Sequence, residues 1–343
     1  MTKDMMIGVD LAKAVFQLHA ASMTGQLRFC KKLSRQSFLK FMAEQSPAVV
    51  VMEACGSAHY WAREMTGLGH EVKLIAPQYV KPFVKRQKND AADAEAIVIA
   101  AQRPEMRFVE PKSAERQGRA MLFRARARLV QQRTELVNML RAFLYELGHV
   151  VPQGINNVPR IAAIITEPNS DLPEIARIEC RDLLEQIEAM TVRIATSDRR
   201  IKDLAGQADM ARRLQTMPGV GPMTALAVEA FAPPMESFKC GRDFAAWLGL
   251  VPKQHSSGGK TRHGRISKAG QSDIRQLLIM GAMSRLKWMG RKSIPETSWL
   301  ARMLARKPRM LVAIALANKM ARMIWAMLTK QEDYRTPATV TAA

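Results

Sequence analysis

Cysteine is scarce in this 343-residue chain: Cys30, Cys55, Cys180 and Cys240 stand far apart, with no CxxC pair among them. Such spacing argues against a disulfide framework and against a zinc site, leaving reduced, structural thiols. Clean apolar runs are missing too. The run at 311–317 meets Asn318, Lys319 and Arg322, so it falls short of the ~20 apolar residues that a membrane span requires. The first ten residues lack the charged, then apolar, then small pattern of a signal peptide. No sustained helix sets Lys and Arg on one side and large apolar residues on the other. A cytoplasmic chain with no membrane partner is the expectation.

Acidic residues are what the C-terminal third lacks most. Residues 211–343 hold 22 Lys and Arg against 7 Asp and Glu, whereas 1–110 hold 15 against 11 and 111–210 hold 15 against 13. The formal balance of +21 is thus largely C-terminal. A short charge run is ordinarily a solvated face, but an excess spread over a third of the chain costs self-repulsion. A polyanion that releases counterions on binding offsets that cost, which points to nucleic acid. At about 100–200 residues per domain the length suggests two or three units, and 48% hydrophobic residues suffice for real cores.

Apolar and alternating runs at 5–12, 15–19 and 26–33 predict a three-strand meander. A helical pattern follows at 37–44, then the buried-strand run 48–53, a helix at 60–68, a strand at 71–76 and a helix at 91–101. This β-β-β-α-β-α-β-α order is that of a ribonuclease-H-like fold. Four carboxylates fall where such a fold brings segments together: Asp10 near the end of the first strand, Glu53 at the end of the buried strand, and Asp90 and Asp93 three apart at a helix start. Singly, Asp90 reads as a helix N-cap and Glu53 as a strand end meeting solvent. As a set they predict an oxygen-rich pocket suited to Mg²⁺, in which two ions about 4 Å apart would polarise a phosphate. A sugar-kinase phosphate loop at 7–20 would require a repeated GxDxG segment and a Gly-rich adenosine loop, and the chain has neither.

The middle third predicts two long helices, one basic (113–147, with Arg116, Arg119, Arg124, Arg126, Arg128 and Arg133). The other carries a heptad seam of Leu183, Ile187, Met190, Ile194, Ser197, Ile201 and Leu204. Residues 148–173, rich in Pro, Gly and Asn, read as the tip of an antiparallel hairpin or coiled coil. Such an arm serves as a stalk or a subunit contact. Its basic helix fits either nucleic-acid contact or a solvent-facing surface.

In the last third, Met217-Pro218-Gly219-Val220-Gly221-Pro222 matches a helix-hairpin-helix turn, where Gly219 and Gly221 would let backbone approach a phosphate. An ordinary Gly/Pro turn fits the same residues. Further on, Ser256-Ser257-Gly258-Gly259-Lys260 reads as a loop ringed by Lys260, Arg262, Arg265 and Lys268. A serine there could attack a phosphodiester while the cations offset transition-state charge. It would need activation by His255 or by a metal; a loop that cradles phosphate without reacting fits equally. Residues 274–288 and 299–328 resume helical periodicity, their methionines reading as core.

Together, Gly8-Val9-Asp10, Glu53-Ala54-Cys55-Gly56, Lys88-Asn89-Asp90-Ala91-Ala92-Asp93-Ala94, Pro218-Gly219-Val220-Gly221 and Gly249-Leu250-Val251-Pro252 through Ser267-Lys268-Ala269-Gly270 resemble the insertion-sequence one-ten family of transposases, also called bridge recombinases. The resemblance covers nearly the whole chain. It implies a RuvC-like domain at 1–112, a coiled-coil connector at 113–208 and a mostly helical transposase domain with helix-hairpin-helix at 209–343. It implies Mg²⁺ on Asp10, Glu53, Asp90 and Asp93, a nucleophile at Ser257 with Ser256 adjacent, and dimers that pair into tetramers on donor and target double-stranded DNA. A noncoding guide RNA and a bacterial cytosolic setting come from the resemblance alone. The expected activity is DNA excision and insertion through a covalent phosphoserine. The alternatives are a RuvC-like hydrolase using water and a non-catalytic nucleic-acid-binding protein.

Overall fold

The computed structural model describes residues 4–84, 90–168, 171–289 and 298–335, and of Asp90 only its place in a helix. The chain divides into two compact units, Met1–Gln117 and Gly118–Ala343. All four cysteines are free.

In the first unit the elements run β1 (Met5–Leu11), β2 (Val15–Ser22), β3 (Leu27–Ser34), α1 (Arg35–Ala43), β4 (Val49–Glu53), α2 (Ala58–Gly67), β5 (Glu71–Ile75), α3 (Pro77–Val80), α4 (Asp90–Ala101) and β6 (Phe108–Val109). They form one mixed sheet in the order β3-β2-β1-β4-β5-β6. The sheet is parallel between β1 and β4 and between β4 and β5. The order follows the sequence expectation with two additions, the short helix α3 and the edge strand β6. Alternation sorts the side chains into two layers. Ile7, Val9, Val50 and Met52 pack with Phe38, Trp61 and Met65 of α1 and α2. Met6, Val49 and Val51 pack on the other face with Ala96, Ile97 and Val98 of α4. Edge-on contacts among Phe16, Phe38 and Trp61, with ring centroids 5.0–5.1 Å apart, add directional packing to the first layer.

The second unit comprises α5 (Ala114–Glu146, from Gly118), α6 (Val158–Thr166), α7 (Glu174–Gln207), α8 (Asp209–Gln215), α9 (Pro222–Phe231), α10 (Gly241–Trp247), β7 (Pro252–Ser257), β8 (Lys260–Ile266), α11 (Ser272–Met289), α12 (Trp299–Leu304) and α13 (Arg309–Lys330). Helices α5 and α7 run antiparallel. Arg126 pairs with Asp198, and Arg133 Nη1 donates to Thr191 Oγ1 at 3.2 Å. Of the seven seam positions, Ile187, Ile194, Ser197 and Ile201 are buried and Leu183, Met190 and Leu204 half-buried. Ser197 satisfies itself by donating to Arg193 O at 3.0 Å.

Two expectations are corrected here. Residues 148–173 are more than a tip: α6 buries Ile161 and Ile165 in a core with Val137, Leu140, Leu144 and Ile187. The segment around Ser257 is a two-stranded β-hairpin rather than a loop. At the other end of the helical pair, Phe123 and Ile201 join one continuous core with α8–α13, including Leu226, Phe244, Leu278 and Met320. Among the described residues α13 is the one helix long and apolar enough to cross a membrane by length and composition, and half of that apolar window is buried inside the protein.

Candidate functional site

Two constellations carry chemistry, one in each unit. In the first, strand parity does the positioning. Gly8 and Asp10 alternate with Ile7 and Val9 on β1, and Val51 and Glu53 alternate with Val50 and Met52 on β4. Because Ile7, Val9, Val50 and Met52 fill the α1/α2 layer, Asp10 and Glu53 belong to the α4 face. Parallel pairing of Val9 with Met52 brings these two carboxylates to the same edge one residue later.

Helix α4 crosses this edge very closely. A Cβ on Gly8 would lie 2.5 Å from Ala94 O and 2.6 Å from Val98 Cγ2. Only glycine admits that approach, which carries Asp93, next to Ala94, toward the strand ends. Glu53 registers the crowding. Its carboxyl is pushed above the ordinary carboxylate value, first by burial and then by the negative charges of Asp10 and Asp93. Among the described residues no cation pairs with Glu53. Asp90 opens α4 three residues before Asp93; its side chain lies outside the described residues. No three described His, Cys, Asp or Glu side chains form a ready-made metal shell. The donor set nevertheless fits a hard divalent cation: three carboxylates share one field.

The second constellation is the β7–β8 hairpin. Gly258 and Gly259, with φ of 56° and 76°, make the two-residue turn that matches strand twist. Every residue of β7 is exposed, so no buried face reports the strand in the sequence. Pairing of Ser257 with Lys260 and of His255 with Arg262 puts these four on one face. Ser256 with Thr261, and Gln254 with His263, occupy the other. Ser256 Oγ accepts from Gln254 Nε2 at 3.0 Å. The His255 ring lies across Gly264, 3.4 Å from where a Cβ would stand, and so leans toward the hairpin base, away from Ser257.

The base of the hairpin is fixed by a buried cation that sequence reading passed over. Arg275 Nη1 donates to Leu248 O at 2.9 Å and to Ala269 O at 2.8 Å. It ties the Gly249-Leu250-Val251-Pro252 segment to Ser267-Lys268-Ala269-Gly270. Lys268, at φ 54°, is exposed where the chain leaves β8. Lys260, Arg262 and Arg265 are exposed along β8 itself.

The other expected contacts separate. Gly219 (φ 92°) packs backbone to backbone on α11: a Cβ there would stand 3.0 Å from Gly281 O. Gly221 is exposed and flanks α9 with open space around it. On α5, Arg119 pairs with Glu229 and Arg126 with Asp198, while Arg124 and Arg128 are exposed.

Comparison with known proteins places these sites in a family. The family model for IS110-type DEDD transposases, described as "Transposase", matches residues 7–148. The model described as "Transposase IS116/IS110/IS902 family" matches residues 211–296. The "Probable family 20 transposase" of Pseudomonas aeruginosa is 43% identical over 96% of this chain and 98% of its own length. The transposase for insertion sequence element IS1111A of Coxiella burnetii is 40% identical over 97% of this chain and 92% of its own. The transposase for IS1328 of Yersinia enterocolitica is 38% identical, covering 95% and 97%. With both family models in their expected places and identities of this size over nearly its whole length, the chain belongs to the IS110/IS116/IS902 family of transposases and is a DNA recombinase.

Proposed function

We propose that this transposase cuts and rejoins DNA through a covalent phosphoserine at Ser257, assisted by Mg²⁺ held on Asp10, Glu53, Asp90 and Asp93. The observation that carries the reading is geometric: Asp10 and Glu53 end neighbouring parallel strands on one face, and the close approach of α4 to Gly8 brings Asp93 toward them. Asp90 enters by its place one turn before Asp93. A bound divalent cation would supply charge neutralisation at the phosphate oxygens.

The chain's own residues do the rest. Ser257 Oγ attacks phosphorus, its proton leaves to solvent or to His255 after rotation of that ring, and the P–O bond to the deoxyribose of the severed end breaks. The departing oxygen takes a proton. Attack by the hydroxyl of a second strand then forms the recombined phosphodiester and frees the serine. Lys260 and Arg262, on the same hairpin face as Ser257, offset charge on the pentavalent phosphate. Ser257 is favoured over Ser256 because the latter sits on the opposite face, engaged by Gln254.

In this account residues 1–112, 113–208 and 209–343 act as metal-binding, connecting and strand-transferring parts. Arg265, Lys268 and the turn at Gly219 and Gly221 bind DNA backbone, the turn through its exposed Gly221 while Gly219 seats it on α11. The helical pair assembles dimers and tetramers, and a noncoding RNA chooses donor and target DNA.

Labelled donor DNA incubated with protein and Mg²⁺ tests the chemistry on a denaturing gel. A protein-linked band that requires both Asp10 and the divalent ion is expected. Free cleaved ends without such a band would make the enzyme a hydrolase. Sequencing RNA that co-purifies with the protein tests the guide: complementarity to the element's flanks is expected, and its absence removes the RNA from the account.

A further inference from the structure

An open cleft of about 1200 Å³ lies in the C-terminal unit, walled by β8, the start of α10, α12 and one side of α13. It exists because α13 has two faces. Val312, Leu316, Met320 and Ile324 fill the core, while Leu311, Ile314, Asn318, Arg322 and Trp325 recur at helical spacing along the cleft. Among the described residues the charged groups around this apolar floor are of one sign: Arg242, Arg265, Lys268, Lys319 and Arg322 line the cleft, with no Asp or Glu. Trp299 lines the cleft with Lys319 Nζ resting over its ring, 5.0 Å from the centroid, so a base stacking there would displace the ammonium toward that nucleotide's phosphate. The Trp325 ring is fixed by donation from Nε1 to Met235 O at 3.2 Å.

A ligand complementary to this lining is flat and apolar over part of its surface and anionic over the rest. Duplex DNA satisfies only the second condition, because its base faces are stacked away from the protein. An unpaired nucleotide satisfies both: base on aromatic ring, phosphate on Arg or Lys. The cleft exceeds the roughly 300–1,000 Å³ of ordinary small-molecule sites. Its β8 wall leads directly to the hairpin tip. Pro252 pairs with Ile266 at the cleft, and Ser257 lies five residues further along β7. At about 3.3 Å per residue, that is about 17 Å, or a few nucleotide steps.

We infer that this cleft receives one or two unstacked nucleotides of the DNA strand opened beside the break, the base lying on Trp299 and the phosphates on Arg322, Lys319 and Arg265. The inference rests on the recombinase reading and adds a subsite to it. Strand opening then becomes something the C-terminal unit captures as well as tolerates.

The test uses the full-length protein and a single-stranded oligothymidine carrying 5-iododeoxyuridine. Photocrosslinking should mark the peptide containing Trp299. In Trp299→Leu, which keeps apolar bulk, single-strand affinity should fall about tenfold, the size of a lost base–aromatic stack. Affinity for a blunt duplex of equal length should be unchanged. The double charge reversal Lys319→Glu with Arg322→Glu should weaken single-strand binding and reduce its salt dependence, with the unfolding transition retained. Crosslinks confined to other peptides, unchanged single-strand affinity in both variants, or binding of an RNA oligomer but not the DNA one would overturn the cleft assignment. Asp10-dependent cleavage that survives those results leaves the recombinase reading intact, whereas loss of that cleavage in the parent protein fails the reading itself.

Discussion

Replacing Gly8 with alanine should separate the carboxylates without touching any of them. The new Cβ would lie 2.5 Å from Ala94 O and 2.6 Å from Val98 Cγ2. Comfortable carbon–carbon contact begins near 3.5 Å, so β1 and α4 must part by about 1 Å. Neither obstacle can turn aside: one is a helix carbonyl, the other a β-branched side chain confined to one rotamer in a helix. Overpacking of this kind costs about 1–3 kcal/mol, of which the lower chain entropy of alanine offsets about 0.4–1 kcal/mol. Asp93 would move with Ala94, away from Asp10 and Glu53. A 1 Å misplacement near a reacting centre costs about 100-fold in rate. Thermal unfolding and Mg²⁺-dependent strand cleavage should therefore both fall in Gly8→Ala, cleavage far more steeply. Gly67→Ala, with open space around its Cβ, is the control and should change neither. Wild-type cleavage by folded Gly8→Ala would refute the claim that α4 must press on β1 to assemble the site.

Further outcomes follow from the same geometry. The Glu53 carboxyl is raised above its ordinary value near 4.5 by burial and by its acidic neighbours. Its favourable contribution is thus fully present below that value and lost as pH rises toward the raised one. Metal-free protein should lose stability across that window, the loss should be smaller in Glu53→Gln, and Mg²⁺ should stabilise the parent but not the variant at neutral pH. A parent whose melting temperature ignores Mg²⁺ would remove Glu53 from the metal site. Arg275→Met strips the donor from the carbonyls of Leu248 and Ala269. At about 1–3 kcal/mol for a buried polar group left unsatisfied, the C-terminal unit should melt several degrees lower, and proteolysis should first enter near the hairpin base. Equal melting of variant and parent would show that the clamp is dispensable. Arg124→Ala with Arg128→Ala should weaken DNA binding more than Arg126→Ala, whose guanidinium is already committed to Asp198; a reversed order in a salt-titrated binding assay would contradict this.

The first unit was legible because its strands are short alternating or continuous apolar runs bounded by turns and helical patterns. Each expected strand lies within about three residues of β1–β5, and parity alone sends Asp10 and Glu53 to one face. Strand β6 was not legible, since two residues cannot display a period. Helix α6 was hidden by its punctuation. Gly154, Asn156, Asn157 and Pro159 read as a turn, yet Pro159 sits in the first helical turn, where its missing N–H costs nothing. Helix α7 begins at Glu174, well before the seam, because Ile175 and Ile178 are exposed and fall outside it. The Ser256–Ser257 segment concealed its strands for a physical reason: with both faces exposed there is no apolar alternation. The usable signal was Gly258-Gly259 between two short polar runs, a two-residue hairpin turn. The resemblance motif at 267–270 acts in the fold as well, by meeting Arg275 and the 248–249 backbone, a contact that no local pattern announces.

The central claim is a bond between Ser257 and a DNA phosphate, formed with the help of the carboxylates at the sheet edge. Nuclease-trimmed, Mg²⁺-dependent protein–DNA adducts should therefore be mapped by tandem mass spectrometry. The account expects the nucleotide on Ser257, an undiminished adduct in Ser256→Ala and none in Ser257→Ala or Asp10→Asn. A nucleotide on Ser256 or any other residue, or an adduct that persists without Ser257, would contradict it.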